Sequence, residues 1–221
     1  MTALNLETAR FNMIEQQVRP WDVLDQKVLD VMASVPRENF VADDQRLLAF
    51  ADVELPLEHG EFMMAPRVEG RMLQALQLRQ SDVVLEIGTG SGYPTACLAR
   101  MSAQVFTVDI HQDFIDRARE RVKALGIDNI TWQQGDAAHG WPAVPGLYDA
   151  IAVTGSLPEY DPCFEKQLKP GGRLFIVVGE APVMNAMLVT RVDDESFYRE
   201  TLFEVDLKPL VGREKVVDFI F

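Results

Sequence analysis

The sequence predicts an α/β fold built on a doubly wound, mostly parallel sheet. The clearest sign is the largely apolar run at residues 83–87, which is too short and too β-branched for a helix. Glycines follow it at positions 88, 90 and 92, and such residues let the backbone turn sharply and approach a ligand. Further along the chain, strand patterns alternate with helical ones, which is typical of parallel strands joined by helical crossovers. The composition, 48% hydrophobic and 25% charged, fits a globular domain.

The segment before the glycine-rich strand is predicted to be helical and then irregular. The spacing of apolar residues predicts helices over 5–19 and 22–34, separated by a proline, with Asp22 as the N-cap of the second. Residues 52–66 contain two prolines and a glycine, and we expect a loop with brief extended pieces there. A further helix is predicted over about 67–78.

After the glycines, strands and helices alternate along the core. Predicted strands cover residues 104–109, 129–134, 148–154 and 173–178, and the strands at 184–192 and 200–207 close the sheet in a direction that the pattern leaves open. Predicted helices cover residues 94–101, 112–125 and 158–168. The loop before residue 148 holds Pro142 and Pro145, and the tail at 208–221 has no clear pattern. We expect one domain over 1–221, made of an N-terminal helical and loop extension (1–66), a ligand-binding core (67–180) and C-terminal strands (181–221).

Charge and cysteine content argue against several classes of protein. The formal net charge is −13, from 34 acidic and 21 basic residues, so no nucleic-acid partner is expected. Cys97 and Cys163 are too few for a disulfide framework and indicate a reducing compartment. The N-terminus has no signal-peptide pattern, and no apolar run approaches the roughly 20 residues of a membrane helix. A cytoplasmic protein without a membrane partner is therefore expected.

Acidic residues stand at the ends of three successive predicted strands. Glu86 lies two residues before the first glycine, Asp109 ends the next strand, and Asp136 follows Gly135 after the third. The position of Asp109 suits an acid that accepts hydrogen bonds from ribose hydroxyls, and Asp136 could reach an adenine edge. The glycine pattern alone fits NAD, FAD or S-adenosylmethionine. An acidic rim repels a pyrophosphate but suits a ligand that carries a sulfonium charge and ribose hydroxyls.

The spacing Glu-x-Gly-x-Gly-x-Gly with the two later acids resembles the class I S-adenosylmethionine-dependent methyltransferases. Segments outside that core look like the protein-L-isoaspartate O-methyltransferases, namely Met13 to Pro20, Val35 to Val41, Gly140 to Pro142 and Tyr148 to Thr154. The resemblance runs from about residue 10 to 180. It implies a Rossmann-like class I methyltransferase fold with an N-terminal helical extension, and S-adenosylmethionine as cofactor. It also implies a protein or peptide substrate, because that family methylates the side-chain carboxylate of isoaspartyl residues in damaged proteins.

Under this resemblance, the expected contacts fall into a cofactor half and a substrate half. The residues expected to contact the cofactor are Met63, Met64, Glu86, Gly88, Thr89, Gly90, Gly92, Asp109, Ile110, Gly135, Asp136 and Ala137. The residues expected on the substrate side are His59, Phe62, Val153 and Thr154. No metal site is expected, because His59, His111 and His139 are scattered and lack metal-ligand spacing. A solvated helix face is expected from Asp113, Asp116, Arg117, Arg119 and Glu120.

The substrate half departs from the family pattern. Members usually carry Thr-Ile-Ser-(Gln/Ala)-Pro, whose serine hydroxyl lies beside the cofactor and the substrate carboxylate. Counting from Gly60 to Pro66, Phe62 stands at the threonine position and Met64 at the serine position. Met64 cannot donate a hydrogen bond to a carboxylate, and Glu61 adds a negative charge where an anionic substrate approaches. No catalytic residue can therefore be assigned from the sequence.

Three functions stay open at this point. The first is a methyltransferase of this family that acts weakly on isoaspartyl carboxylates or has been redirected to another, more apolar acceptor, including an unidentified small molecule. The second is a non-catalytic homologue that binds S-adenosylmethionine. The third, an NAD-dependent oxidoreductase, is disfavoured because the second and third acids have no role there. The sequence does not predict the oligomeric state.

Overall fold

The computed structural model describes residues 3–142 and 146–214. Its strands are β1 (Leu55–Pro56), β2 (Phe62–Met63), β3 (Val83–Ile87), β4 (Gln104–Asp109), β5 (Ile130–Gln134), β6 (Tyr148–Leu157), β7 (Leu168–Glu180), β8 (Val183–Arg191) and β9 (Phe197–Val205). Its α-helices are α1 (Ala3–Met13), α2 (Gln26–Ser34), α3 (Pro66–Leu76), α4 (Tyr93–Met101) and α5 (Gln112–Lys123). None of these helices combines the length and the hydrophobicity that a membrane span requires.

The main sheet has seven strands in the order β5-β4-β3-β6-β7-β8-β9. Strands β3 to β7 run parallel to one another, whereas β8 is antiparallel to β7 and β9 is antiparallel to β8. The chain builds outward from β3 to β5 and then returns to form β6 on the other side of β3. This reversal is the topological switch point at which open α/β sheets bind ligands. The predicted doubly wound, mostly parallel sheet is confirmed, and the direction of the closing strands is settled as antiparallel.

The central strand is buried on both faces, as an inner parallel strand should be. Val84 belongs to the core that also contains Met72 of α3 and Leu98 of α4. Its neighbour Leu85 belongs to a second core with Phe164 and Leu168, on the opposite side of the sheet. Because successive strand residues point to opposite faces, the short apolar run supplies both cores at once.

The predicted helix over 158–168 is wrong. This segment contains only a 3-10 turn at Glu165–Gln167. Pro162 has no backbone N–H and fixes its own φ, and the Oδ1 atom of Asp161 accepts a hydrogen bond of 2.9 Å from the backbone N–H of Cys163. This local Asx-type turn competes with a helix, so the connection between β6 and β7 is mostly irregular.

The N-terminal helices also differ in detail from the prediction. Helix α1 continues into a π-helical turn at Ile14–Val18, and α2 starts at Gln26. Asp22 is not the N-cap, because it adopts a left-handed conformation with φ of 59°. Asp25 has that role, since its carboxylate accepts a hydrogen bond from the backbone N–H of Lys27 at 2.9 Å. Pro145 of the predicted loop and residues 215–221 of the predicted C-terminal segment lie outside the described residues.

Candidate functional site

A cavity opens at the carboxyl ends of the central strands, and with its solvent-filled mouth it has about 730 Å³ of empty space. Of the residues predicted for the site, its wall includes Phe62, Gly88, Gly90, Asp109, Ile110, Gly135, Asp136, Ala137 and Thr154. The predicted residues that do not line it are His59, Met63, Met64, Glu86, Thr89, Gly92 and Val153. The cavity lies at the switch point between β3 and β6, where the fold places a ligand.

The glycine loop after β3 packs so closely that side chains cannot be accommodated. Gly88 has φ of 93°, and a Cβ there would lie 2.2 Å from Oγ1 of Thr154. Gly92 has φ of 84°, and its Cβ would lie 2.5 Å from the Cβ of Ala118. Thr154 donates to the carbonyl oxygen of Gly88 at 2.8 Å, so it fixes the loop while also lining the cavity. The loop therefore presents bare backbone to the cavity in a fixed conformation.

Asp109 is the most strongly oriented acid of the cavity wall. Its Oδ2 atom accepts a hydrogen bond from the backbone N–H of Gly90, and its Oδ1 atom accepts one from that of His111, both at 2.9 Å. Burial raises the pKa of Asp109, and these two backbone donors counter the effect. Each carboxylate oxygen still has capacity to accept another hydrogen bond. The side chain is thus held in one orientation at the cavity wall.

A second acid reaches the wall from the end of β5. The Oδ1 atom of Asp136 accepts a hydrogen bond of 2.9 Å from the backbone N–H of Ala138. The preceding Gly135 has no side chain because a Cβ would lie 2.4 Å from the ring of Trp141. That ring is anchored by its Nε1 atom, which donates to Oε1 of Gln133 at 2.8 Å. This packing sets the backbone that carries Asp136 and leaves the second carboxylate oxygen available to a ligand.

Glu86 lies beneath the glycine loop and not on the cavity wall. Its fully buried carboxylate accepts hydrogen bonds at Oε2 from Thr95 at 2.5 Å and from Thr107 at 2.7 Å. The hydroxyl of Thr89 joins that of Thr107 at 2.7 Å, which extends the network into the loop. Burial raises the pKa of Glu86 to about 8, although the two threonine hydroxyls work in the other direction. The residue braces the loop from below, and its expected contact with a cofactor stays a prediction.

Comparisons with known proteins give this cavity a family context. The family model described as Protein-L-isoaspartate(D-aspartate) O-methyltransferase (PCMT) matches residues 9–215. The chain belongs to this family. It is 38% identical over 211 residues to the Protein-L-isoaspartate O-methyltransferase of Brucella anthropi, a match that covers 95% of this chain and 96% of the relative. It is 40% identical over 211 residues to the Protein-L-isoaspartate O-methyltransferase 2 of Pelobacter propionicus, covering 95% of this chain and 93% of the relative.

A solved structure supports the same fold. A Plasmodium falciparum structure, described as a protein-L-isoaspartate O-methyltransferase in complex with S-adenosyl-L-homocysteine, superimposes with a TM-score of 0.73. The sequence identity is 21%, and the match covers 93% of this chain and 97% of that one. The predicted Rossmann-like class I methyltransferase fold with an N-terminal helical extension is confirmed.

The segment that departs from the family motif lies at the edge of the cavity. Phe62 is 46% exposed and forms part of the wall. Met63 and Met64 are buried in the core, and the carbonyl oxygen of Met64 accepts a hydrogen bond of 2.6 Å from Nη2 of Arg37. The residue at the position of the family serine therefore points its side chain into the core. Neither Phe62 nor Met64 has a side-chain donor to offer a substrate carboxylate.

The C-terminal segment 207–211 forms a side of the cavity that the sequence did not predict. It runs alongside the end of β6, because the backbone N–H of Ser156 donates to the carbonyl oxygen of Lys208 at 2.9 Å. Gly155 allows this approach, since a Cβ there would lie 2.7 Å from a methyl group of Leu210. Lys208 extends back over the cavity, donates to the carbonyl oxygen of Gly60 at 2.9 Å and forms an ion pair with Glu61. In sequence, the one available hint is the glycine directly after the strand predicted at 148–154, because a glycine next to a strand often marks a close backbone approach.

The expectation that the histidines lie apart is wrong for two of them. The rings of His59 and His111 stack with centroids 3.9 Å apart and an angle of 5° between planes, and His59 contacts Asp113 at 3.0 Å. Asp113 also binds Arg117, which pairs with Glu58, so the helix face, which is largely exposed as predicted, also contacts the loop at residues 58–60. These two histidines and Asp113 are close enough to suggest a metal site. Parallel rings, however, direct their in-plane lone pairs along separate planes, so one ion cannot meet both without rotation of a ring.

Proposed function

We propose that this chain is an S-adenosylmethionine-dependent methyltransferase that esterifies a carboxylate of a protein or peptide substrate. The observation that carries the proposal is the cavity at the switch point, where the glycine loop, Asp109 and Asp136 meet in a member of the PCMT family. The net charge of −13 and the absence of a basic cluster disfavour a nucleic-acid substrate. A cytoplasmic location is part of the proposal, because Cys97 and Cys163 are both free cysteines.

The wall residues fit this methyl donor chemically. In this proposal Asp109 accepts hydrogen bonds from ribose hydroxyls and Asp136 accepts one from an adenine amino group, which is supported by the position of both carboxylates on the cavity wall. The bare backbone at Gly88 and Gly90 leaves room for the rest of the ligand. Two wall acids disfavour a pyrophosphate-containing cofactor, whereas they suit a cationic sulfonium group. When bound, the cofactor supplies a methyl group that its sulfonium centre already activates.

Methyl transfer to a carboxylate needs little acid–base catalysis from the protein. A carboxylate is ionised at neutral pH, so no general base has to remove a proton before it attacks. The protein then contributes mainly by holding the carboxylate oxygen in line with the methyl group. The loss of the family serine at Met64 therefore weakens substrate alignment without removing a step of the reaction. We infer a low rate toward isoaspartyl peptides, or a better rate toward a carboxylate in more apolar surroundings.

Replacing Asp109 with alanine is expected to weaken binding of S-adenosylhomocysteine by roughly tenfold or more, since two oriented acceptors are lost. Isothermal titration calorimetry measures this affinity directly. Asp116→Ala provides the control, because that acid lies on the exposed face of α5 and contacts Gln112 and Arg119. An unchanged affinity in Asp109→Ala would show that the ribose contacts lie elsewhere. A wild-type protein that bound no S-adenosylhomocysteine at millimolar concentration would refute the proposed function altogether.

Restoring the family motif is expected to raise methyl transfer to an isoaspartyl peptide. The double substitution Phe62→Thr with Met64→Ser returns hydroxyl donors whose hydrogen bond to a carboxylate is worth roughly 1.5–3 kcal/mol, or one to two decades in rate. Transfer of radiolabel from S-adenosylmethionine measures the effect, with Met64→Leu as an apolar control. Since Met64 is buried, the unfolding midpoint of each variant is measured in parallel.

Two results of this assay would count against the interpretation. A wild-type rate equal to that of a family member with the usual motif would mean that the serine is dispensable. A folded double variant that gained no activity would point to a redirected acceptor. Binding of S-adenosylhomocysteine by a protein that methylates no carboxylate would favour the non-catalytic alternative.

A further inference from the structure

We propose that the ammonium group of Lys208 binds the carboxylate of the methyl acceptor and so determines the specificity of the site for acidic substrates. This inference rests on the proposed carboxylate methylation and names the residue that replaces the missing serine as a contact. Lys208 is distant from the altered motif in sequence, because it lies 147 positions after Glu61.

The charge pattern of the cavity is the first support. Its described wall carries three acids, namely Glu61, Asp109 and Asp136. Lys208 is the only lysine or arginine among those described wall residues. An incoming carboxylate would be repelled by the acids unless a cation lay at its binding point. In this wall, Lys208 alone has a permanent positive charge to offer.

Hydrogen bonds hold the backbone at Lys208 in place, so the side chain that carries the ammonium group starts from a defined position. Ser156 donates through its backbone N–H to the carbonyl oxygen of Lys208 at 2.9 Å. Its hydroxyl donates to the carbonyl oxygen of Leu207 at 2.6 Å, and its own carbonyl oxygen accepts from the N–H of Leu210 at 3.0 Å. Three contacts to a single buried serine of β6 hold this part of the C-terminal segment against the sheet. A binding group on such a support keeps its position relative to the cofactor half of the cavity.

The ammonium group already binds a carboxylate in the structure. Two of its three N–H donors are directed to the carbonyl oxygen of Gly60 and to Oε1 of Glu61. The third has no partner among the described residues, and the side chain is 33% exposed, so it can be reached from the cavity mouth. Glu61 thus shows that a carboxylate fits beside Lys208, and it also competes with one that enters.

Apolar residues near the Lys208 ammonium group strengthen its contact with a carboxylate and limit the class of ligand that can bind. Leu57, Phe62, Leu210 and Val211 line the same cavity. Charge-assisted hydrogen bonds gain strength where apolar groups exclude water. The ligand class is therefore a peptide or small molecule with a carboxylate next to an apolar group, and not an amine.

The test measures binding of a fluorescent isoaspartyl peptide to protein saturated with S-adenosylhomocysteine. Lys208→Met is expected to weaken binding by at least about tenfold, because hydrogen bonds to charged groups contribute one to two decades. Lys208→Arg is expected to retain most of the affinity, and Glu61→Gln is expected to improve it by removing the competing charge. Lys166→Met, on an exposed lysine, is the matched control and should bind as the wild type does. A peptide with a carboxamide in place of the carboxylate should bind equally to wild type and Lys208→Met.

A double variant separates direct binding from mere neutralisation of Glu61. If Lys208 contacts the acceptor, Lys208→Met combined with Glu61→Gln stays weak. Recovery of wild-type affinity in this double variant would overturn the inference, as would failure of the wild type to prefer the carboxylate over the carboxamide peptide.

Methyl transfer to the same peptide distinguishes the two proposals. Lys208-dependent binding without transfer to this peptide or to any other carboxylate would refute the proposed activity and leave the carboxylate site standing. Transfer whose KM and peptide affinity are unaffected by Lys208→Met would refute the carboxylate site and leave the proposed activity standing.

Discussion

Replacing Arg37 with methionine is expected to lower the free energy of unfolding by roughly 3–5 kcal/mol, which is the usual cost of leaving a buried charge without its partner. Arg37 is completely buried, and its Nε atom lies 3.0 Å from Oε2 of the equally buried Glu69. Its other nitrogens donate to the carbonyl oxygens of Ala49 and Met64, both at 2.6 Å. Methionine can fill much of the space, but it satisfies none of these three acceptors. Urea unfolding followed by circular dichroism measures the loss.

The cost of Arg37→Met should depend on pH in a defined direction. Burial raises the pKa of Glu69 to about 7, with Arg37 acting against the rise. Without the guanidinium, the folded state holds the proton of Glu69 to a higher pH than the wild type does. The destabilisation should therefore be smaller at pH 5, where the carboxyl group can be neutral, than at pH 8.

Two further variants make this prediction decisive. Adding Glu69→Gln to Arg37→Met removes the unpaired charge and should recover part of the lost stability. Arg119→Met is the control for loss of a surface guanidinium, because that side chain is half exposed. If Arg37→Met were no more harmful than Arg119→Met, the buried pair would not support the backbone of Met64. In that case the edge of the cavity would be held in place by other contacts.

The part of the cavity wall that follows strands β3 to β5 could be anticipated from the sequence, because its determinants are local. Strand β4 is found at Gln104–Asp109, as its short apolar pattern predicts. Asp109 ends β4 and Asp136 follows the end of the neighbouring parallel strand β5 by two residues, so both lie at the same edge of the sheet. The glycine spacing likewise indicates where backbone approaches backbone. Each of these inferences needs only a few consecutive residues and one rule of sheet geometry.

The side of the cavity formed by residues 207–211 could not be anticipated, because it depends on contacts between distant segments. Lys208 lies in a stretch without periodicity, and its position depends on the pairing of Ser156 with Pro209 across the end of β6. The stacking of His59 on His111 likewise depends on how a loop packs against α5. Counting positions does place Met64 at the family serine, but not the direction of its side chain. The fold shows that this side chain is buried in the core, while Arg37 binds the backbone carbonyl of the same residue.

Glu86 lies near the glycine loop, as the sequence predicts, but its place in the packed sheet indicates a different role. The sequence places an acid near the glycine loop, and the structure does so too, but beneath the loop and away from the cavity. Its Oε1 atom has no hydrogen-bond partner among the described residues. A carboxylate with one buried oxygen unpaired is costly, so the neutral acid is favoured at physiological pH. The residue therefore links protonation to the stability of the loop.

Glu86→Gln is accordingly expected to flatten the dependence of stability on pH between pH 5 and 8. The pKa of Glu86 is about 8 in the folded state against an ordinary value of 4.5, and burial is the main cause. In this window the folded state keeps a proton that the unfolded state has released, so the free energy of unfolding falls as pH rises. The contribution is complete below about pH 4.5 and is lost as pH approaches 8. It amounts to about 3 kcal/mol between pH 5 and 8.

Comparing the pH dependence of the unfolding free energy in wild type and Glu86→Gln separates the effect of Glu86 from that of other groups. Glutamine still accepts hydrogen bonds from Thr95 and Thr107, so the loop keeps its main supports. Glu69 is present in both proteins, and its contribution cancels when the two unfolding curves are subtracted at each pH. The difference between wild type and Glu86→Gln should therefore shift steadily in favour of the variant as pH rises. Parallel curves would mean that Glu86 is ionised throughout, with a cation or water meeting its second oxygen.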